Sequence, residues 1–261
     1  MYNLSGELAS NYKDPENPTF LTGHAEFDQC INGLSPGELI LVAGKLGSIN
    51  EMFIDSLAVH LAFSRDVYDI KHDRDKEIIR LNLFSVLGVE SYSELSGRRL
   101  SFWGASDYYF VQHIERAIKS FTNRFSNPVI FISRLQDLSL LEDNTEISRN
   151  EEIRSILFNL KRIAVKYKTP IIIDHAIHSE VEFNSTPACM QDLYPLGKAV
   201  DCIDKIIFTH WEDFFINYDS GLPAGHIAKI QVTISGGSKT KFSQFNFPMG
   251  PSFHKIWFKP L

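Results

Sequence analysis

The chain is poor in cysteine, with Cys30, Cys189 and Cys202 as the three among 261 residues. An odd number at wide spacing, with no CxxC and no Cys/His ligand pattern, excludes a disulfide framework and a zinc module. Long apolar runs are also lacking. None approaches the ~18 residues of a membrane span, and residues 1–11 hold no apolar stretch of a signal peptide. There is no basic excess, since 26 Lys and Arg stand against 32 Asp and Glu for a net charge of −6. A dedicated nucleic-acid binder usually carries a basic face. Strong non-specific DNA binding is therefore not expected, a local basic loop apart. Internal repeats and low-complexity tracts are missing as well. These absences together predict a reduced, cytoplasmic protein without a membrane span.

What is present is apolar material for a core: 44% hydrophobic residues, 12% aromatics and 20 Phe. Residues 1–18 are polar, end in Asp14-Pro15-Glu16-Asn17-Pro18 and predict a tail or linker; residues 19–261 predict one domain. Ser35-Pro36-Gly37-Glu38 is a turn signal leading into the apolar run Leu39-Ile40-Leu41-Val42-Ala43, which suits a buried parallel strand. Helical spacing follows at Phe53, Ile54, Leu57, Ala58 and Leu61. Strands are predicted at residues 78–83, 100–103, 129–132 and 170–173, with helices over 107–124 and from a capping box at Ser148 and Glu151. After residue 200 the runs 203–210, 227–235, 241–247 and 254–258 are all strand-like. Alternating strands and helices imply a parallel, doubly wound sheet, extended by antiparallel strands at the C-terminal end.

The stretch from Thr22-Gly23 through Asp28, Gly33-Leu34 and Gly37 to Leu39 resembles the opening of the motor domain of DnaB-type replicative helicases, T-G-x-x-x-L-D-x-x-x-x-G-L-x-x-G-x-L. Ile132-Ser133-Arg134-Leu135-Gln136 resembles that family's I-D-Y-L-Q at the Walker B strand. Asp192-Leu193, Gly197 and residues 201–204 resemble its D-L-R-E-S-G-x-I-E-Q-D-A-D segment. The resemblance covers roughly residues 20 to 250, without the family's helical N-terminal domain. It implies a RecA-like P-loop NTPase fold and, for an intact member, an ATP-dependent DNA helicase that works as a ring.

The implied chemistry is changed at each position. A P-loop, G-x-x-x-x-G-K-[ST], curls backbone N–H groups around phosphates, places Lys on the β/γ-phosphates and a hydroxyl on Mg²⁺. Here it is Gly44-Lys45-Leu46-Gly47-Ser48-Ile49-Asn50-Glu51, so Ile49 replaces the second glycine, Asn50 the lysine and Glu51 the hydroxyl residue. Ile fits poorly where positive φ is required. Gly44, Lys45, Gly47, Ser48 and Asn50 are the groups left to meet an anion. Ser133 stands at the Walker B aspartate, Phe84 at the catalytic glutamate when counted from a strand at residues 78–83, and Ala176 at the sensor glutamine. Glu90 and Glu94 are candidate substitutes for the glutamate, with surface carboxylates the plainer reading. The K-x-R finger falls on Thr233-Ile234-Ser235.

Three further clusters have a functional and a plain reading. Asp174, His175, His178 and Glu180 suit a metal site or a solvated loop. Gly236, Ser238, Lys239 and Thr240 suit a phosphate loop or a hairpin turn. Arg149, Arg154, Lys161 and Arg162 suit a DNA-facing strip or a mixed-charge helix face, given Glu142, Asp143, Glu146, Glu151 and Glu152 nearby. In each case the second is favoured. The expectation is a non-catalytic RecA-fold protein with no cofactor, assembling with its own copies or with a replication protein. The alternatives are an ATP- and Mg-dependent helicase, or a single-strand DNA-binding module that needs no ATP.

Overall fold

The computed structural model describes residues 19–23, 25–45, 49–62, 64–71, 99–104, 109–140, 147–177, 187–210, 227–234 and 241–248. Readings that fall elsewhere, the tail of residues 1–18 among them, lie outside the described residues.

Eight strands form one sheet. They are β1 (Leu39–Lys45), β2 (Val67–Lys71), β3 (Leu100–Gly104), β4 (Val129–Ile132), β5 (Ile171–Ile177), β6 (Lys205–His210), β7 (Ile227–Ile234) and β8 (Lys241–Pro248). Their order across the sheet is β3-β2-β4-β5-β1-β6-β7-β8. Every pair from β3 to β6 is parallel. The β6–β7 and β7–β8 pairs are antiparallel. The predicted α/β class is therefore observed, including the antiparallel extension.

Strand residues alternate between two cores. Leu39, Leu41 and Ala43 face a core closed by helices α3 (Val111–Thr122) and α4 (Arg149–Tyr167) and by the 3₁₀ segment Met190–Cys202. Ile40 and Val42 face a second core closed by α1 (Ala25–Ile31) and α2 (Asn50–Leu61). Strands apolar on both faces are what a sheet covered by helices on both sides needs. The capping box at the start of α4 is formed: the Ser148 hydroxyl accepts from the Glu151 N–H, and the Glu151 carboxylate accepts from the Ser148 N–H at 2.9 Å. That helix buries Ile153, Ile156, Leu157, Leu160, Ile163 and Ala164, each large one stabilising by ~1.5–3 kcal/mol.

The opening signature is a structural clamp. The Asp28 carboxylate accepts from the Thr22 N–H (2.7 Å), the Thr22 hydroxyl (2.7 Å) and the Gly23 N–H (2.9 Å). Gly33, at φ 64°, lets Phe20 and Leu34 exchange backbone hydrogen bonds at 2.7 and 2.8 Å; a Cβ there would lie 2.3 Å from Thr19 and 2.8 Å from the Phe20 carbonyl. Pro36-Gly37 forms the expected turn, with Gly37 at φ 82° and the Glu38 N–H donating to the Ser35 carbonyl. Lys205 then reaches from β6 to the Gly33 carbonyl (2.7 Å) and the Glu38 carboxylate (2.6 Å).

One strand is not expected from the sequence and another is longer than expected. The predicted strand at residues 78–83 lies outside the described residues, and the strand that follows α2 is Val67–Lys71. It carries Asp69 and Lys71 and so lacks the continuous apolar run that marks a buried parallel strand. Strand β5 continues past Ile173 to Ile177, because β1 runs beside it and pairs Val42 with Asp174 through to Lys45 with Ile177. Asp174, His175 and Ala176 are thus strand residues, and the loop reading of Asp174 and His175 is withdrawn.

Candidate nucleotide-site corner

The carboxyl ends of β1, β2, β4 and β5 meet the start of α2, the corner where α/β folds of this kind receive ligands. β1 ends at Lys45, residues 46–48 lie outside the described residues, and α2 starts at Asn50. Among the residues expected at an anion, Gly47 and Ser48 are therefore not placed. Gly44 pairs with Ala176 in the sheet, and the Lys45 ammonium sits 3.7 Å from the Asp192 carboxylate. Ile49 has φ −98° and is buried in the α2-side core. The strain expected for a β-branched residue there is not found, because this backbone does not require positive φ.

Asn50 is turned into the sheet. Its Nδ2 donates to the His175 carbonyl at 2.9 Å and its Oδ1 accepts from the Thr209 hydroxyl. The side chain thereby ties α2 to β5 and β6 and is 5% exposed. Glu51 is exposed on the first turn of α2.

Ser133 follows β4 and is buried. Its N–H donates to the Ile70 carbonyl at 3.0 Å, and its own carbonyl accepts from the Tyr109 hydroxyl at 2.5 Å. Burial holds the Tyr109 phenol above its usual range. Arg134, next in the chain, adopts φ 57°, an uncommon conformation for a residue with a Cβ. Its N–H donates to Asp174 Oδ1 at 2.6 Å. Ala176 N–H reaches Gln136 Oε1 at 3.4 Å, so this residue meets the segment after β4 through its backbone. Phe84 lies outside the described residues. The count that assigned it is withdrawn, because it began from residues 78–83 while the strand beside β4 is Val67–Lys71.

An ionic group that the sequence reading missed fills this corner. The Lys71 ammonium is in contact with the Asp55 carboxylate of α2 and lies 3.6 Å from Asp69 Oδ2. Asp69 is 1% exposed, and neither of its carboxylate oxygens has a hydrogen-bond partner. Burial, opposed by Lys71 and reinforced by Asp55, pushes its carboxyl up to about 7. Burial likewise lifts Asp174 to about 6 against the Arg134 N–H and Lys71. Burial disfavours the Lys71 ammonium, but Asp55 and Asp69 outweigh it and hold its pKa above the usual lysine value. The signal available in the sequence was the Asp-x-Lys alternation inside Val67–Lys71.

Arg149, Arg154 and Lys161, for which a DNA-facing strip is the less favoured reading, each have partners within the chain. Arg149 contacts Glu152 and donates to the Gln136 and Leu138 carbonyls, both at 2.6 Å. Arg154 donates to the Leu196 (3.1 Å) and Pro195 (3.2 Å) carbonyls. Lys161 donates to the Gly37 carbonyl (2.8 Å) and pairs with Asp204 (2.6 Å). All three head groups make hydrogen bonds to carbonyls of the chain, with the Arg149 side chain 41% exposed. Gly197, at φ 55°, lies under the Arg154 guanidinium; a Cβ there would come within 3.0–3.1 Å of it. Between the end of β5, the start of α4 and the 3₁₀ segment is a cleft of about 520 Å³, lined in part by Gln136, Arg149, His175 and Asp192. Among the described residues no group of three or more His, Cys, Asp or Glu is arranged to hold a metal. No described helix is long and apolar enough to cross a membrane.

A mostly parallel sheet wound on both faces, with strand β1 followed in the chain by α2, is a RecA-like architecture. Comparison with known proteins makes the relation specific: the chain is akin to the C-terminal domain of DnaB-type helicases in sequence and in fold. It is 25% identical over 215 residues to the replicative DNA helicase DnaB of Mycoplasma genitalium, covering 72% of this chain and 46% of that protein. The chain thus spans about half the length of that relative. It superposes with a TM-score of 0.78 on a DnaB-like replicative helicase whose structure was solved with its primase interactions, at 16% identity, over 97% of this chain and 66% of that one. A second solved structure, an ATPase domain, also gives a TM-score of 0.78 at 16% identity, with 98% of each chain covered. No protein-family model matches the chain.

Proposed function

We propose that this chain is a DnaB-like RecA-fold protein with degenerate Walker A and Walker B motifs that acts by binding rather than by hydrolysis. Its partners are copies of itself or a protein of the replication machinery, with DNA a weak ligand at most, and its place is the cytoplasm. The observation that carries this is Asn50. At the position of the phosphate-binding lysine stands a neutral amide that is already bonded to Thr209 and to the His175 carbonyl.

Mg·ATP needs an ammonium on its phosphates, a hydroxyl and a carboxylate around its cation, and a base for water. Asn50, Glu51 and Ser133 do not fit that group, and Glu51 adds a negative charge at the first turn of α2. Loss of a general base costs roughly 10²–10⁴ in rate. Loss of an arginine finger costs on the order of 10³–10⁵. Such losses do not add, yet one neighbour cannot replace them all.

Isothermal titration of the full chain with Mg·ATP, paired with a phosphate-release assay, tests the proposal. No heat of binding and no turnover are expected. Saturable binding with turnover that a single substitution abolishes would overturn it. The sequence similarity to a replicative helicase favours a second reading, an ATP-dependent DNA helicase with altered catalytic residues, and that same outcome would establish it. Anisotropy of a labelled single strand at two salt concentrations addresses DNA: true phosphate contacts weaken steeply with salt.

A further inference from the structure

We infer that Lys71 is a cation built into the fold: at the strand-end corner it balances buried carboxylates without an ion taken from solution. The inference rests on the reading above, and what carries it is placement. Ile70 pairs with Ile132, and Ile132 with Ile173, so Lys71, Ser133 and Asp174 stand side by side at the ends of β2, β4 and β5. One residue back from Ile132 and Ile173, Phe131 and Ile172 face α1 and α2 on alternate positions of β4 and β5, which puts Ser133 and Asp174 on that face as well. Lys71 is therefore one strand away from the position where the family anchors its magnesium through a carboxylate.

The ammonium is enclosed, with its side chain 6% exposed. It contacts Asp55 from α2 and approaches Asp69 from its own strand. Asp69 is unpartnered by any hydrogen bond, so its charge is compensated through Lys71 or not at all. The other ionisable groups acting on this corner are Glu51 on α2, Asp174 on β5 and Tyr109 beside the end of β4. One ammonium among Asp55, Asp69 and Asp174 leaves the buried group short of positive charge. A buried carboxylate in that condition takes up a proton rather than remain ionised. The corner is accordingly independent of added cation and dependent on protons.

The experiment uses the full chain without nucleotide. Denaturation midpoints are measured from about pH 5 to about pH 8, with EDTA and with Mg²⁺, for the wild type and for Lys71→Met. The wild-type midpoint is expected to be the same with EDTA and with Mg²⁺. Lys71→Met should lower the midpoint, and more at pH 8 than at pH 5. Each extra proton bound by the folded variant changes the folding constant by about tenfold per pH unit. An equal loss at both pH values would mean that Lys71 only packs, and a wild-type response to Mg²⁺ alone would mean that the corner takes its cation from outside; either overturns the inference. Should Lys71→Met not fold, Lys71→Met/Asp55→Asn/Asp69→Asn decides. Recovery of folding assigns the damage to unbalanced charge and supports the inference, whereas continued failure assigns it to lost packing and overturns it. Mg·ATP binding with turnover by the wild type would sink the non-hydrolytic reading and leave the Lys71 result standing. A pH-independent Lys71→Met variant would do the reverse.

Discussion

Two buried aspartates in this molecule lead opposite lives. Asp28 sits in the opening clamp and accepts three hydrogen bonds from Thr22 and Gly23. Asp69 sits at the strand-end corner and accepts none. The first carboxylate has had its lost hydration replaced, so its charge stabilises the fold. The second has an ammonium at 3.6 Å that it shares with Asp55, and no hydrogen bond to replace its lost hydration, so its charge is costly. The scaffold signature of the DnaB-like opening is thus maintained by local satisfaction. The corner beside it is held by a balance of charges that pH can tip.

Substitutions can break that contrast. The largest effect is expected for Asp28→Ala, which removes the acceptor for three donors and should cost about 3 kcal/mol in chemical denaturation. Asp69→Asn should have the opposite sign at alkaline pH. Its folded-state pKa is raised from 3.8 to about 7. Its contribution to stability is therefore fully present below about pH 4 and is lost as pH rises through about 7. At pH 8 the amide should make the protein more stable than the wild type, with little gain at pH 4. Destabilisation by Asp69→Asn across the whole range would put the two aspartates in one class. Asn50→Ala leaves Thr209 and the His175 carbonyl without that partner and should cost about 1.5 kcal/mol, read from the urea midpoint. Ser148→Ala, in neither region, removes the N-cap of α4 and should cost about 1 kcal/mol in thermal melts. It sets the scale for an ordinary local loss.

Much of the fold was legible in the sequence because its strands and helices announce themselves by period. Residues 39–43 and 129–132 are unbroken apolar runs, and α4 carries both its capping box and its apolar stripe. Strand β2 was not legible for the same physical reason that makes it interesting. Asp69 and Lys71 interrupt its apolar pattern, and only the partner Asp55, brought by α2 from sixteen residues before Lys71, makes their burial tolerable. The end of β5 was cut short at Ile173 because Asp174 and His175 look like loop residues until β1 is seen running beside them. At the site, residue identity was legible and residue disposition was not. The sequence supplies Asn50 at the start of α2, but not its bonds to β5 and β6. Nor does it disclose that Arg149, Arg154 and Lys161 direct their donors to nearby carbonyls and carboxylates, because most of those partners come from loops and turns distant in the chain.

The central place of β1 carries a consequence for how the molecule is made. This strand is made before the other strands, yet its two neighbours in the sheet are β5 and β6. Its first residue, Leu39, is fixed by Asp204: the Leu39 N–H donates to the Asp204 carboxylate at 2.7 Å, and the Leu39 carbonyl accepts from the Asp204 N–H at 2.9 Å. Contacts this far apart in sequence slow folding, because a long loop must close before they form. The strand at the heart of the sheet therefore waits for its partners, and a nascent chain stopped before residue 171 would carry it as an unpaired apolar ribbon open to aggregation.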